Sequence, residues 1–112
     1  MDLKALELVA NAPVVLYLQS PKEKLWGLLL SVGTAGIVLR GLDLRVFDDW
    51  MRQEVRGDEP VIGLSTVFYP MHRVERMERD ETIGPITSYA DRFAYAAGRT
   101  VLEALGVVPG KD

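Results

Sequence analysis

Between Pro13 and Arg40 three strand-forming runs follow one another with little between them: Val14 to Gln19, Lys24 to Val32 and Ala35 to Arg40. The polar turns are Ser20-Pro21-Lys22-Glu23 and Gly33-Thr34. Connections this short predict an antiparallel meander. Gly27, inside the second run, predicts a bend or bulge. Two more runs follow after a gap. Leu64 to Tyr69 is rich in β-branched and aromatic residues, and His72 to Glu78 alternates; Pro70 between them marks a bend or an edge. Five short strands in one small chain predict a barrel, because closure removes exposed edges.

Helical patterns flank and interrupt these runs. Leu3 to Ala10 consists of good helix formers behind Asp2, a potential cap, and Pro13 closes the region. Phe47, Trp50, Met51 and Val55 recur at helical spacing, which predicts a short helix over Val46 to Glu54 after an extended stretch. Arg56-Gly57-Asp58-Glu59-Pro60 is an exposed loop. Ser88 with Asp91 has the spacing of a capping box, and a helix is expected from there to about Leu105, with Gly106 as its stop.

Composition narrows the function classes. The 112 residues form a single domain, and 48% hydrophobic with 26% charged residues is a globular balance rather than a disordered one. The chain has no cysteine, which excludes disulfides, thiol catalysis and cysteine-ligated zinc, and its single histidine excludes a multi-histidine metal centre within one chain. Net charge is −3, and residues 43–63 carry that surplus with six acidic against three basic side chains. A general basic field for nucleic acid is therefore absent, and only a local patch is available. No apolar run approaches the ~18 residues of a membrane span. The first residues lack a signal-peptide order, so a cytoplasmic location is expected.

Val14-Val15-Leu16-Tyr17-Leu18, then Lys24-Leu25-Trp26-Gly27, then Ile37-Val38-Leu39 resemble the first motif of Sm-like proteins, closest to the Hfq-like branch. Val67 to Met77, with His72 and Val74, resembles the second motif. The match covers residues 3–40 and 64–79; residues 43–62 are an insertion and residues 86–106 a C-terminal helical extension. The resemblance implies a strongly bent, five-stranded SH3-like barrel under an N-terminal helix. It also implies a ring in which the fourth strand of one subunit pairs with the fifth of the next. Val67, Phe68, Tyr69, Val74 and Met77 are then the candidate oligomer interface.

The family's RNA-contacting residues carry over in part. The Asp and Asn of its first motif fall on Gly33 and Ile37, and its Tyr-Lys-His triplet falls on Pro70, Met71 and His72. The RNA-binding candidates are accordingly Lys24, His72, Arg73 and Arg76. His72 is a candidate for base contact or pH sensing, set against a structural role at a subunit contact. Arg73, Arg76 and Arg79 are mixed with acidic residues, a pattern that favours cross-strand or intersubunit ion pairs over phosphate binding. Asp48, Asp49, Asp58 and Glu59 match no calcium-loop spacing and read as a solvated rim. Phe47 and Trp50 are candidate anchors for a partner, or else cover the barrel mouth. Trp26 lies on the opposite face of its strand from Leu25 and Gly27, where the C-terminal helix would meet it.

No nucleophile–base–orienter set and no phosphate loop is present in the pattern, so an enzyme is not expected. No cofactor is expected either. The functional expectation is a homo-oligomeric assembly or adaptor module on an Sm-like fold; the alternative is an Hfq-like binder of single-stranded RNA. The expected partners are the chain itself and either single-stranded RNA or a further protein, with no membrane.

Overall fold

The computed structural model describes residues 8–107. Five strands, β1 (Ala12–Leu18), β2 (Glu23–Val32), β3 (Gly36–Asp43), β4 (Ser65–Pro70) and β5 (Val74–Arg79), form one sheet in the order β4-β3-β2-β1-β5. Every neighbouring pair is antiparallel. Helix α1 (Phe47–Arg56) is inserted between β3 and β4, and α2 (Tyr89–Ala97) and α3 (Val101–Ala104) follow β5. The protein is thus a mainly-β domain with helices added to one antiparallel sheet.

Gly27 faces Gly41 across β2 and β3. A Cβ on Gly27 would come to 2.5 Å from the Arg40 carbonyl oxygen, and one on Gly41 to 2.3 Å from that of Trp26. Only glycine permits the two backbones to approach this closely. Further along the same pair, the register shifts between Leu29 and Ser31. The pairing runs unbroken through Gly27, so the glycine serves close backbone approach, and the irregularity expected there lies further along the strand.

Both sheet faces are buried. On one, Val14, Leu16, Leu25, Leu29, Ile37 and Leu39 form a core, joined by Leu8 and edged by Tyr69 from β4 and by Val74 and Met77 from β5. Apart from Leu8 and Met71, this core is made by the strands alone. A sheet that buries its own face with its own strands must curl over itself. On the other face, Val15, Trp26, Leu28 and Leu42 lie under Phe47 and Trp50 of α1, Phe93 of α2 and Val101 of α3. Burial on both faces explains why the inner strands β1 to β3 read as near-continuous apolar runs.

An aromatic stack holds the helices to the sheet. Trp26 meets the Phe47 ring edge-on at 5.2 Å and Trp50 at 6.0 Å, and Trp50 stacks on Phe93 at 4.8 Å. The Trp26 indole N–H donates to Asp80 Oδ2 at 2.9 Å. The Asp80 carboxylate also accepts from the backbone N–H groups of Tyr89 (3.0 Å) and Ala90 (2.9 Å), while Ser88 Oγ accepts from Asp91 N (3.0 Å). Asp80 and Ser88 together satisfy three donors at the N-terminus of α2, where negative charge is also favoured by the helix dipole. Asp80→Ala strands the indole N–H and two helix donors at once. It is expected to cost about 2–4 kcal/mol, read as a lower urea midpoint with an unchanged slope. A loss near zero would mean that Asp80 does not tie the sheet to α2.

Several expectations change. The barrel is not closed: β4 and β5 lie at opposite ends of the sheet and do not pair, being joined only by the 3-10 turn Met71–Arg73. The fifth strand starts at Val74, so His72 stands in that turn and not in a strand. The expected C-terminal helix is two helices. Gly98 adopts φ 71°, closing α2, and Thr100 restarts the chain with a capping box to Glu103. The loop expected at Arg56 to Pro60 is exposed as expected, although Arg56 itself is the last residue of α1, whose left-handed cap is Gly57. The N-terminal helix expected over residues 3–10 falls mostly outside the described residues, and Leu8 to Ala10 are not helical.

Candidate assembly edges and an aromatic–basic cleft

Register brings two of the RNA candidates together. Tyr17 pairs with Lys24 across β1 and β2, and with Arg76 across β1 and β5. Directly opposed residues share a face of the sheet. The Tyr17 ring consequently lies between two cations, with Lys24 Nζ 5.5 Å and Arg76 Cζ 4.2 Å from its centroid. Lys22, Leu44 and Arg45 extend this group into an open cleft of about 510 Å³, which Glu23, Asp43 and Glu75 also line.

Two of the three acidic groups in the cleft already have partners. Asp43 accepts from Arg45 Nε (3.0 Å), from a terminal guanidinium nitrogen (3.0 Å) and from the Arg45 backbone N–H (2.8 Å). The Arg45 side-chain bonds, followed by the backbone bond, hold the Asp43 carboxyl below the usual carboxylate value. Glu23 pairs with Arg73 at 2.8 Å. Lys22 and Lys24 form no ion pair among the described residues. A flat ring flanked by cations suits a stacked base with a phosphate nearby.

His72 and Arg73 lie apart from this group. His72 is exposed in the turn after β4, where its carbonyl accepts from Gln19 Nε2. The Arg73 guanidinium bonds the Pro21 carbonyl (2.9 Å), Glu23 Oε2 (2.8 Å) and the Gln19 carbonyl (3.3 Å). Its donors fasten the β4–β5 turn to the β1–β2 hairpin. Arg76 also pairs with Glu78 at 3.1 Å. That pair lies within β5, whereas Arg73 of the preceding turn reaches across to Glu23 of β2.

The oligomer candidates occupy both edges of the sheet. On β4, Val67 is 37% and Phe68 52% exposed; Tyr69 is half-buried, and its burial pushes the phenol pKa up. On β5, Val74 and Met77 are half-buried against the strand-made core. Their outward backbone edges have no partner strand among the described residues.

Phe47 and Trp50 are not available to a partner. They are 1% and 2% exposed, because α1 turns that face onto Trp26 and Phe93. In the acidic insert, Asp48 pairs with Arg92 (2.6 Å) and Asp49 with Arg52 (2.9 Å). No group of three metal-ligating side chains occurs among the described residues, and none of their helices is long and apolar enough to cross a membrane.

Three features had weak signals in the sequence. Tyr17 was one apolar residue of a strand until register set Lys24 and Arg76 beside it. Asp80 looked like a residue ending the sheet. Gln53, on the helical face of α1, is buried and bonds the Val61–Ile62 backbone. Comparison with family models, curated proteins and solved structures returns no match.

Proposed function

We propose that the protein is a non-enzymatic, Sm-like assembly module. Copies join head to tail by setting β4 of one against β5 of the next. The observation that carries this is a curled sheet with two unpaired edge strands of equal length, six residues each. One edge exposes Val67 and Phe68. Such edges are aggregation hazards unless covered, and pairing with another copy covers both at once. The order β4-β3-β2-β1-β5 leaves free the two strands that the Sm-like resemblance assigns to subunit contacts. Light scattering on the full chain at micromolar concentration tests this: a mass of several chains is expected, and a mass of one chain overturns it.

A second reading, binding of single-stranded RNA, is favoured by one observation, the Tyr17 ring between Lys24 and Arg76. Against it stand the structural bonds of Arg73 and the acidic overall charge. Fluorescence anisotropy with short oligo-A and oligo-U at two salt concentrations separates the cases. If RNA binds, affinity falls with salt and Lys24→Ala weakens it by about tenfold, whereas His72→Ala has little effect. Absence of binding at tens of micromolar protein leaves assembly alone.

A further inference from the structure

A cavity of about 180 Å³ lies between the sheet and helices α2 and α3. None of its lining residues belongs to the edge strands or to the cleft at Tyr17. Leu28 of β2 and Val101 of α3 line it and are 1% and 4% exposed. Ala90 and Ala94, four residues apart on one face of α2, line it too. Their side chains are single methyl groups, and larger ones would fill the space.

Three further lining residues are polar and have unused bonding capacity. Asp91 Oδ2 accepts from the Thr82 hydroxyl at 2.5 Å. Asp91 Oδ1 accepts no hydrogen bond, and the carboxylate has no ion-pair partner, among the described residues. The adjacent Arg92 is paired with Asp48 instead. Asn11 stands in the left-handed region at φ 66°, which asparagine tolerates better than most residues. Its backbone N–H donates to the Leu29 carbonyl at 2.8 Å, while its carboxamide has no partner among the described residues. Thr100 Oγ1 accepts from Glu103 N at 3.1 Å and keeps a second lone pair.

Size and charge together select a ligand class. An apolar cavity of roughly 150 Å³ takes a benzene-sized molecule. No lysine or arginine lines this one, and its single ionised side chain is Asp91. A carboxylate without a cation at the rim of an apolar cavity is complementary to a positive ligand. A primary ammonium has three donors and no acceptor. The Asp91 carboxylate, the Asn11 carbonyl and the Thr100 oxygen are three acceptors at one cavity.

We propose that this cavity binds a small free amine in its protonated form, with a flat apolar body over Leu28 and Val101 and its ammonium group at Asp91. The site does not rest on the assembly proposed above.

Phenethylamine is the probe, titrated into the full chain and followed by the amide NMR signals. Saturable shifts are expected at Ala90, Ala94 and Leu102. Phenethyl alcohol has nearly the same shape without the charge, and it should bind about tenfold or more weakly. Asp91→Asn should weaken the amine by a similar factor and leave the alcohol unchanged. Ala94→Leu fills the cavity and should abolish binding of both, with folding confirmed by circular dichroism. Absence of saturable shifts at millimolar amine overturns the site. Equal affinity for amine and alcohol overturns the role of Asp91, and shifts centred on Tyr17 overturn the location. If Asp91→Asn fails to fold, the alcohol and Ala94→Leu still decide.

Discussion

Trp26→Ala is expected to destabilise the domain by about 3–5 kcal/mol, the range for removing a fully buried tryptophan. Trp26 is fully buried at the centre of β2 and touches Phe47 and Trp50 at once. Its indole N–H is also the link to Asp80, and through it to the start of α2. Removal leaves a large void under α1 and α2 and takes away one of the three donors to the Asp80 carboxylate. With typical domain stabilities of about 5–15 kcal/mol, much of the margin disappears. Trp26→Phe keeps part of the packing but loses the hydrogen bond, and its cost should fall between those of alanine and the wild type. Urea denaturation followed by circular dichroism measures both. A cost below about 1 kcal/mol for the alanine variant would mean that the helices do not depend on this residue.

The second large effect falls on assembly and not on folding. Phe68→Lys replaces an exposed apolar residue on β4 with a charge that faces Arg76 of the neighbouring copy in the antiparallel register that overlaps all six residues of each strand. It removes apolar contact and sets like charges opposite each other, weakening the joint by roughly ten- to a hundredfold. Phe68 is 52% exposed in the single chain, so the variant should fold with nearly native stability. Adding Arg76→Glu to it converts repulsion into an opposite-charge pair and should restore the assembly. Restoration by the double variant distinguishes this register from general loss of an apolar surface.

Much of the sheet was legible in the residues, because short turns and glycines act locally. Ser20 to Glu23 and Gly33-Thr34 end runs whose partners are adjacent in sequence, and β1 to β3 form close to those limits. Trp26 could be assigned to the helix face from the pleat alone, and it lies there. The break at Gly98 was signalled by Thr100 and Glu103 at capping spacing, but the alanines of α2 made one continuous helix equally consistent with the pattern. The spacing of Phe47 and Trp50 revealed an apolar face without saying what it would cover. That face packs on Trp26 and Phe93, which are distant in sequence.

Site residues depend more heavily on distant pairing, and fewer of them were legible. Lys24 and Arg76 were recognisable as charges, but their common neighbour Tyr17 emerges only when β1 is paired on both sides. Arg73 has the same local pattern as Arg76 and a different task, because Glu23 and the Pro21 carbonyl lie within its reach. The open edges have no local signature. Nothing within Ser65 to Pro70 or Val74 to Arg79 states that these two strands end the sheet; the order of the other three decides it.

The most direct measurement of the central claim is the mass in solution of the full chain and of Phe68→Lys, by light scattering over a range of micromolar concentrations. Edge-to-edge assembly predicts a wild-type mass of several chains and a shift toward one chain in the variant under the same conditions. A wild-type mass of one chain throughout, with the sheet intact by circular dichroism, would contradict the account and leave β4 and β5 as the uncovered edges of a monomer.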